Sequence, residues 1–192
     1  LFPQYRQVLE MSGADRVHPA ELWSNTWRWV DAATPAAAQR LSYGPEIRGR
    51  LDQRVLKLMK RGDVNAASEL SVVALGLADG ETARHPVIFW KLSAAFFEAL
   101  AKALVPIDVY VKRAASRILL QYASLARGDQ NVSERLAQDL LFFVAQAQRV
   151  SASTAPIVAA VKQAWALDGY EPVNYEESGF GLYDPAVLAQ AR

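Results

Sequence analysis

The chain has 192 residues, 52% of them hydrophobic and 21% charged, with a formal net charge of +1 and no cysteine. That balance belongs to ordinary globular material, enough for one domain or two small ones, and it excludes a disulfide framework and cysteine-ligated zinc. The near-zero charge argues against a nucleic-acid surface, which needs clustered lysine and arginine to displace counterions.

Helical period runs through the whole chain, and strand-like alternation never persists. The first predicted helix spans Phe2 to Met11, with Phe2, Tyr5 and Leu9 on one face and Gly13 after it. His18 opens a second, with Pro19 at the first helical position and Glu21 at the positive end of the helix dipole. Leu22, Trp23, Thr26, Trp27 and Val30 continue its apolar face. Thr34 to Ser42, bounded by Pro35, is a connection with some helical character.

Pro45 starts the next helix, whose stripe Ile47, Leu51, Val55 and Leu58 lies opposite Arg48, Asp52 and Lys57. Gly62 closes it and Asp63 is placed to cap the following helix, which turns Ala67, Leu70, Val73, Ala74 and Leu77 inward and stops at Asp79-Gly80. So short a connection favours antiparallel neighbours, and residues 45–79 read as one helical hairpin. His85-Pro86 begins the most apolar helix, running to about Leu104 through Ile88, Phe89, Trp90, Leu92, Phe96, Phe97 and Leu100. Its narrow polar stripe is Lys91, Glu98 and Lys102, so it belongs at the centre of the bundle.

Pro106 ends that helix and Asp108 caps the next, with Val111, Ala115, Ile118, Leu119 and Tyr122 facing the core and Lys112, Arg113, Arg117 and Ser124 facing out. Arg127-Gly128-Asp129 marks a tight turn, followed by Asn131 and Glu134 in capping-box spacing. Leu136, Leu140, Phe143, Val144 and Ala147 form the inner face of a helix ending near Arg149. Ser151 to Thr154 breaks the pattern, and the last full helix runs from about Ala155 to Leu167 with Ile157, Val161, Ala164 and Trp165 apolar, ended by Gly169. Tyr170 to Asp184 reads as an extended tail, and Asp184-Pro185-Ala186-Val187-Leu188 signals another helix, so the chain reads as a piece of a longer polypeptide.

These elements predict an all-α protein of about seven helices in stacked antiparallel hairpins. Residues 1–169 are expected to form a single helical domain, with N-terminal helices over 1–42 and core hairpins over 45–168. Residues 170–192 are the tail and the start of the next helix. Residues 59–70 and 126–136 share an Arg-Gly-Asp turn followed by a Ser-Glu pair, which reads as two hairpins using one turn chemistry rather than a repeat. The same helix-stop, helix-start role accounts for both Arg-Gly-Asp tripeptides without a cell-adhesion function.

Candidates for chemistry are few. Each histidine, His18 and His85, directly precedes a proline, which places the imidazole at a helix entrance as a cap residue. A phosphotransfer histidine stands in a His-x-x-Lys-Gly pattern, whereas these are followed by Pro-Ala-Glu-Leu and Pro-Val-Ile-Phe. Two distant histidines do not make a metal site, and the tight acidic groupings, Glu176-Glu177 and Asp79 near Glu81, read as solvated loop charge. The stretch Trp23 to Trp29 could form a ligand platform, but Trp23 and Trp27 on one helical face read more simply as core packing. No catalytic residue, cofactor or metal is expected. No apolar run approaches a bilayer span of roughly 20 residues and no secretory leader is evident, so a cytoplasmic protein without membrane insertion is expected.

The strings Leu1-Phe2-Pro3-Gln4-Tyr5-Arg6, Gly13 to Trp23 (GADRVHPAELW), Asp108 to Arg117 (DVYVKRAASR) and Ser133 to Phe143 (SERLAQDLLFF) resemble one lineage. They are similar to the N-terminal region of the CheA-type hybrid histidine kinases of the type IV pilus chemosensory system, the ChpA and PilL group. That region is itself similar to the FimL scaffold family. The resemblance implies a helical, non-catalytic docking module upstream of phosphotransfer, kinase, adaptor and receiver domains, acting in two-component phosphorelay signalling that controls twitching motility. It implies other domains of the same polypeptide, a response regulator or pilus-system scaffold proteins as partners. The exposed cations Lys112, Arg113 and Arg117 are the candidate docking residues, since such a row could steer an acidic partner. Two alternatives are an unconventional phosphotransfer domain using His18 or His85 and a small-ligand sensor with an apolar cavity near Phe89, Trp90 and Phe96.

Overall fold

A computed structural model describes residues 26–167. Six helices occupy them, α1 (Pro45–Arg61), α2 (Val64–Gly80), α3 (Arg84–Ala101), α4 (Val109–Ala126), α5 (Glu134–Gln146) and α6 (Pro156–Ala164), with no strand among the described residues. The all-α expectation holds. The predicted helix over Phe2–Met11 and the tail from Tyr170 lie outside the described residues.

The α1–α2 hairpin follows local chemistry. Pro45 stands in the first turn of α1, and Gly62 ends it in the left-handed region at φ 59°, its amide donating to Leu58 O at 2.9 Å. Asp63 caps α2 by accepting from the amides of Asn65 and Ala66. The predicted stripe Ile47, Leu51, Val55 and Leu58 is buried, as are Ala67, Leu70, Val73, Ala74 and Leu77 of α2.

The centre of the bundle is α3. It packs chiefly on α2 and also on α5 and α6, while α4 closes against α1 and α5. Ile88, Phe89, Trp90, Leu92, Phe96 and Phe97 have no exposed surface. Phe96 packs its ring against Phe97 and Phe143, and Trp90 meets Phe89 and Tyr122 edge-on. The helix is shorter than its pattern suggests, ending at Ala101 because Ala103 adopts a left-handed φ of 54°, with Leu104 N–H reaching back to Ala99 O at 2.9 Å. This closes the last turn as a glycine would, in a residue that carries a Cβ. Ala166 does the same service after α6, at φ 53°, with Leu167 N–H reaching back to Lys162 O at 2.8 Å.

Residues 26–43 depart from expectation. The predicted second helix does not extend through Thr26, Trp27 and Val30, and Thr34 to Ser42 has no helical turn. The chain there is an extended strap, its half-buried Trp27 and Trp29 alternating with exposed Arg28. Its backbone groups find tertiary partners instead of helical ones. Trp165 Nε1 donates to Arg28 O at 2.9 Å, Arg84 to Trp29 O at 3.0 Å, and Lys91 Nζ to Ala32 O at 2.7 Å while also pairing with Asp31. Further on, Ala37 N–H donates to Asp79 Oδ2 at 2.7 Å and Leu41 N–H to Gly76 O at 3.0 Å. Tyr43 OH donates to Glu81 at 2.6 Å and accepts from Trp90 Nε1 at 2.9 Å, so the strap is stitched to α2 and α3 along its length. Burial and the bond to Glu81 together push the Tyr43 phenol far above its ordinary range.

Glu98 corrects another expectation. It does not join an exposed stripe with Lys102 but lies buried, 8% exposed, beneath the start of α6. The N-cap position of α6, Ala155, has no side-chain oxygen, and Glu98 Oε1 takes the role from α3, accepting from Ile157 N at 2.9 Å and Val158 N at 3.0 Å. A carboxylate meeting the free amides of a helix start satisfies groups that the helix itself cannot. Burial raises the Glu98 carboxyl above its ordinary range, against the lowering pull of these amides and of the Lys102 charge.

Candidate functional site

The surface where α4 and α5 meet holds the most distinctive polar geometry. Asp139 on α5 is buried, its side chain 2% exposed, and two arginines converge on it. Arg117 Nη1 on α4 approaches Asp139 Oδ2 at 3.2 Å, and Arg135 Nε, one turn before Asp139 on α5, approaches Oδ1 at 3.1 Å. The arginine side chains remain 55% and 48% exposed. One interior carboxylate therefore holds two guanidinium groups on half-exposed side chains. Arginine suits this because its rigid fork can hold a carboxylate with some donors and present others outward.

The connection behind them is tied down by Gln121, 7% exposed, whose amide nitrogen donates to Asn131 O at 3.0 Å and whose oxygen accepts from Ser133 N at 2.9 Å. Ser133 caps α5 by accepting from Leu136 N at 3.2 Å. The capping-box expectation for Asn131 and Glu134 is thus corrected: Asp129 turns the chain by accepting from Asn131 N, and the cap falls two residues later than Asn131. The two Arg-Gly-Asp turns differ in this respect, since Asp63 caps its helix directly.

Between α4 and α5 lies a cleft of about 320 Å³, lined among others by Arg117, Gln121, Ser133, Arg135 and Leu136. Leu120 stands in it 70% exposed. A single exposed leucine is ordinary. This one lines the same cleft as Arg117 and Arg135.

Of the three cations singled out by sequence, Arg117 belongs to this site. Lys112 and Arg113 lie one turn earlier on α4 and are half-buried, with the Arg113 guanidinium over the Tyr110 ring at 5.6 Å. They do not form a row of equally exposed charges with Arg117. Sequence reasoning missed Leu120, Arg135 and Asp139. The doublet Leu119-Leu120 carried a signal, because adjacent helical positions lie about 100° apart and a helix with one apolar stripe buries only one of the two well. Leu119, expected inside, is half-buried.

His85 is not a cap. Ala83 holds that position, so the imidazole falls inside the first turn of α3 and Pro86 comes third, where its missing N–H still costs no helical bond. The ring is exposed on one side and stacks on Trp29 on the other, centroids 4.0 Å apart and planes 11° from parallel. His18 lies outside the described residues. Trp27, outside any helix, stacks on Trp165 at 6.0 Å and anchors the strap to the end of α6; Trp23 lies outside the described residues. Among the described residues no three histidine, aspartate or glutamate side chains gather as a metal site requires, and no helix is long and apolar enough to cross a membrane. A second cleft, of about 360 Å³, lies against the α5–α6 connection beside Arg149, Ser151 and Lys162. Phe89, Trp90 and Phe96, where a ligand cavity was an alternative, are fully buried, with Phe89 and Trp90 in ring contact with each other and Phe96 with Phe143.

The chain has no significant match among curated proteins and none among solved structures. The family model described as the FimL scaffold protein second domain matches residues 36–178, a span that contains the second part of the strap and all six helices. The chain belongs to the family of the FimL scaffold protein second domain.

Proposed function

We propose that this chain is a non-catalytic docking module in the chemosensory signalling that controls type IV pili. It stands in the N-terminal region of a CheA-type hybrid histidine kinase and holds phosphorelay components together in the cytoplasm. The observation that carries this is membership of a scaffold family over residues 36–178. Its partners are the other domains of the same polypeptide, a receiver-domain response regulator or a scaffold protein of the pilus machinery. The α4–α5 surface supports binding as the mode of action, because it offers oriented charge and an exposed apolar side chain in one cleft. His85 supports the same view: its ring is stacked on Trp29, and Ile88 and Phe89 stand where the phosphotransfer pattern has lysine and glycine.

The test is co-purification of the chain with the response regulator and the polar scaffold of a type IV pilus system, paired with in-frame deletion of the domain from its parent gene. Retention of one of these components and impaired twitching on deletion are expected. No retention together with normal twitching refutes the proposal. Transfer of label from a phosphorylated kinase core to His85 would refute its non-catalytic part.

A further inference from the structure

We propose that the strap is a two-part clip: residues 27–32 lift from α3 and α6 as a unit, pivoting on residues 33–36, while residues 37–43 stay bound to α2 and α3. Lifting uncovers the strap-facing sides of His85 and Trp165. The docking role proposed above stands or falls without this device.

The two parts are held by different chemistry. Residues 37–43 give backbone amides and a phenol to the bundle: Ala37 N–H to Asp79 at 2.7 Å, Leu41 N–H to the Gly76 carbonyl at 3.0 Å, and Tyr43 OH to Glu81 at 2.6 Å. Beside them the Tyr122 hydroxyl bonds both backbone groups of Gly44, each at 3.1 Å. In residues 27–32, among the described residues, the only backbone groups that helices engage are the carbonyls of Arg28, Trp29 and Ala32. Every donor to them is the tip of a side chain, on Trp165, Arg84 and Lys91. Arg84 and Lys91 can swing into water with their charge intact, so these bonds exchange for hydration at little net cost. The Lys91 pair with Asp31 is open to water on the aspartate side, 46% exposed, and so is subject to screening by salt.

Rings supply the rest of the grip. His85, Trp29, Trp27 and Trp165 form one row, with successive centroids 4.0, 5.1 and 6.0 Å apart, so the start of α3 is joined to the end of α6 across the clip. Lifting parts the two end contacts only, because the edge contact of Trp27 with Trp29 is internal to the clip. The closed form also carries a defect. Trp27 Nε1 is buried without an acceptor, and the same donor would be hydrogen-bonded in water.

The pivot lies where attachment lapses. Ala33, Pro35 and Ala36 are exposed, and among the described residues nothing bonds residues 33–36 to a helix. The one bond there, Thr34 N–H to Ala32 O at 3.0 Å, is internal to the strap. Trp27 is the first residue of its compact unit, and the match to the scaffold family begins at residue 36. A pull from the preceding chain therefore reaches the clip before any helix.

The test is hydrogen exchange on the full chain, followed by NMR. Trp165 Nε1–H, bonded to Arg28 O, reports the clip, while Trp90 Nε1–H, bonded to Tyr43, and Leu41 N–H report the bound part. Trp165 backbone N–H, bonded to Val161 O at 3.2 Å, reports α6 itself. Trp165 Nε1–H is expected to exchange about tenfold or more faster than Trp90 Nε1–H and with a weaker dependence on urea, as local opening does. Asp31→Asn or added salt should speed it several-fold and Trp29→Ala about tenfold, leaving Trp90, Leu41 and the Trp165 backbone proton unmoved. Both substitutions fall in the strap, on exposed or half-buried side chains, so the helices keep their core. Equal rates and equal urea dependence for the two indoles would make the strap a single piece and overturn the clip. So would variants that leave Trp165 Nε1–H unmoved, or a Trp165 backbone proton that quickens with its indole, which means that α6 frays instead.

Discussion

Two glycines inside helices give opposite answers to the same substitution. Gly49 in α1 has nothing within 4 Å of where a Cβ would stand, whereas at Gly76 in α2 a Cβ would come within 2.6 Å of Gln39 O and 2.7 Å of Leu41 Cγ. Helix propensity alone favours alanine over glycine by about 1 kcal/mol at either site. At Gly49 that gain should appear nearly whole, about 0.5–1 kcal/mol of added stability. At Gly76 the obstruction includes a backbone oxygen, so the strap must lift. Lifting gives up the Leu41–Gly76 bond, worth about 1 kcal/mol, and strains or breaks the Ala37–Asp79 bond, worth about 1.5–3 kcal/mol because its acceptor is charged. Setting that loss against the propensity gain leaves Gly76→Ala less stable by about 1.5–3 kcal/mol. For a domain of this size the melting temperature should fall by about 5–12 °C. The assay is paired thermal and urea unfolding of the two variants, with hydrogen exchange at Leu41 N–H and Trp90 Nε1–H as local reporters. Gly76→Ala that is more stable than wild type, with Leu41 still protected, would refute the reasoning.

Three further outcomes follow from single contacts. Glu98→Ala removes the acceptor for two amides at the start of α6 and should cost about 2–4 kcal/mol, while Glu98→Gln keeps a carbonyl oxygen there and stays within about 1 kcal/mol of wild type. Because burial raises the Glu98 carboxyl above its unfolded value, its contribution is complete below the ordinary glutamate range and is lost as pH rises through the raised value. Urea titrations across that window should show wild type losing stability relative to Glu98→Gln, and a pH-independent or opposite difference would contradict the assignment. Asp139→Ala should cost about 1–3 kcal/mol, less than breaking a fully buried pair, since both arginines can rehydrate, and Arg117→Ala about 1 kcal/mol because Arg135 stays paired. A denaturant midpoint lower for Arg117→Ala than for Asp139→Ala would reverse that order. Ala103→Gly relieves a left-handed backbone at an exposed position and should raise stability by about 1 kcal/mol, read as a higher melting temperature.

The sequence alone determined the α1–α2 hairpin, the stripe Ile47, Leu51, Val55 and Leu58, the cap at Asp63 and the central place of α3. Each of those rests on a period of 3.6 residues or on bonds spanning at most four, so the information lies side by side along the chain. Only the tertiary structure decided that residues 26–43 are a strap, because Trp27 and Trp29 obtain their ring cover, and Tyr43 its hydrogen bonds, from helices and helix ends that the local pattern does not mention. The same holds for Glu98, whose partners are 59 and 60 residues away, and for Arg117, joined to Arg135 through Asp139 on another helix. A glutamate or arginine on a helix face carries the same local signature whether it meets water or a buried partner. Burial, which sets the strength of its electrostatics, is settled by what packs against it.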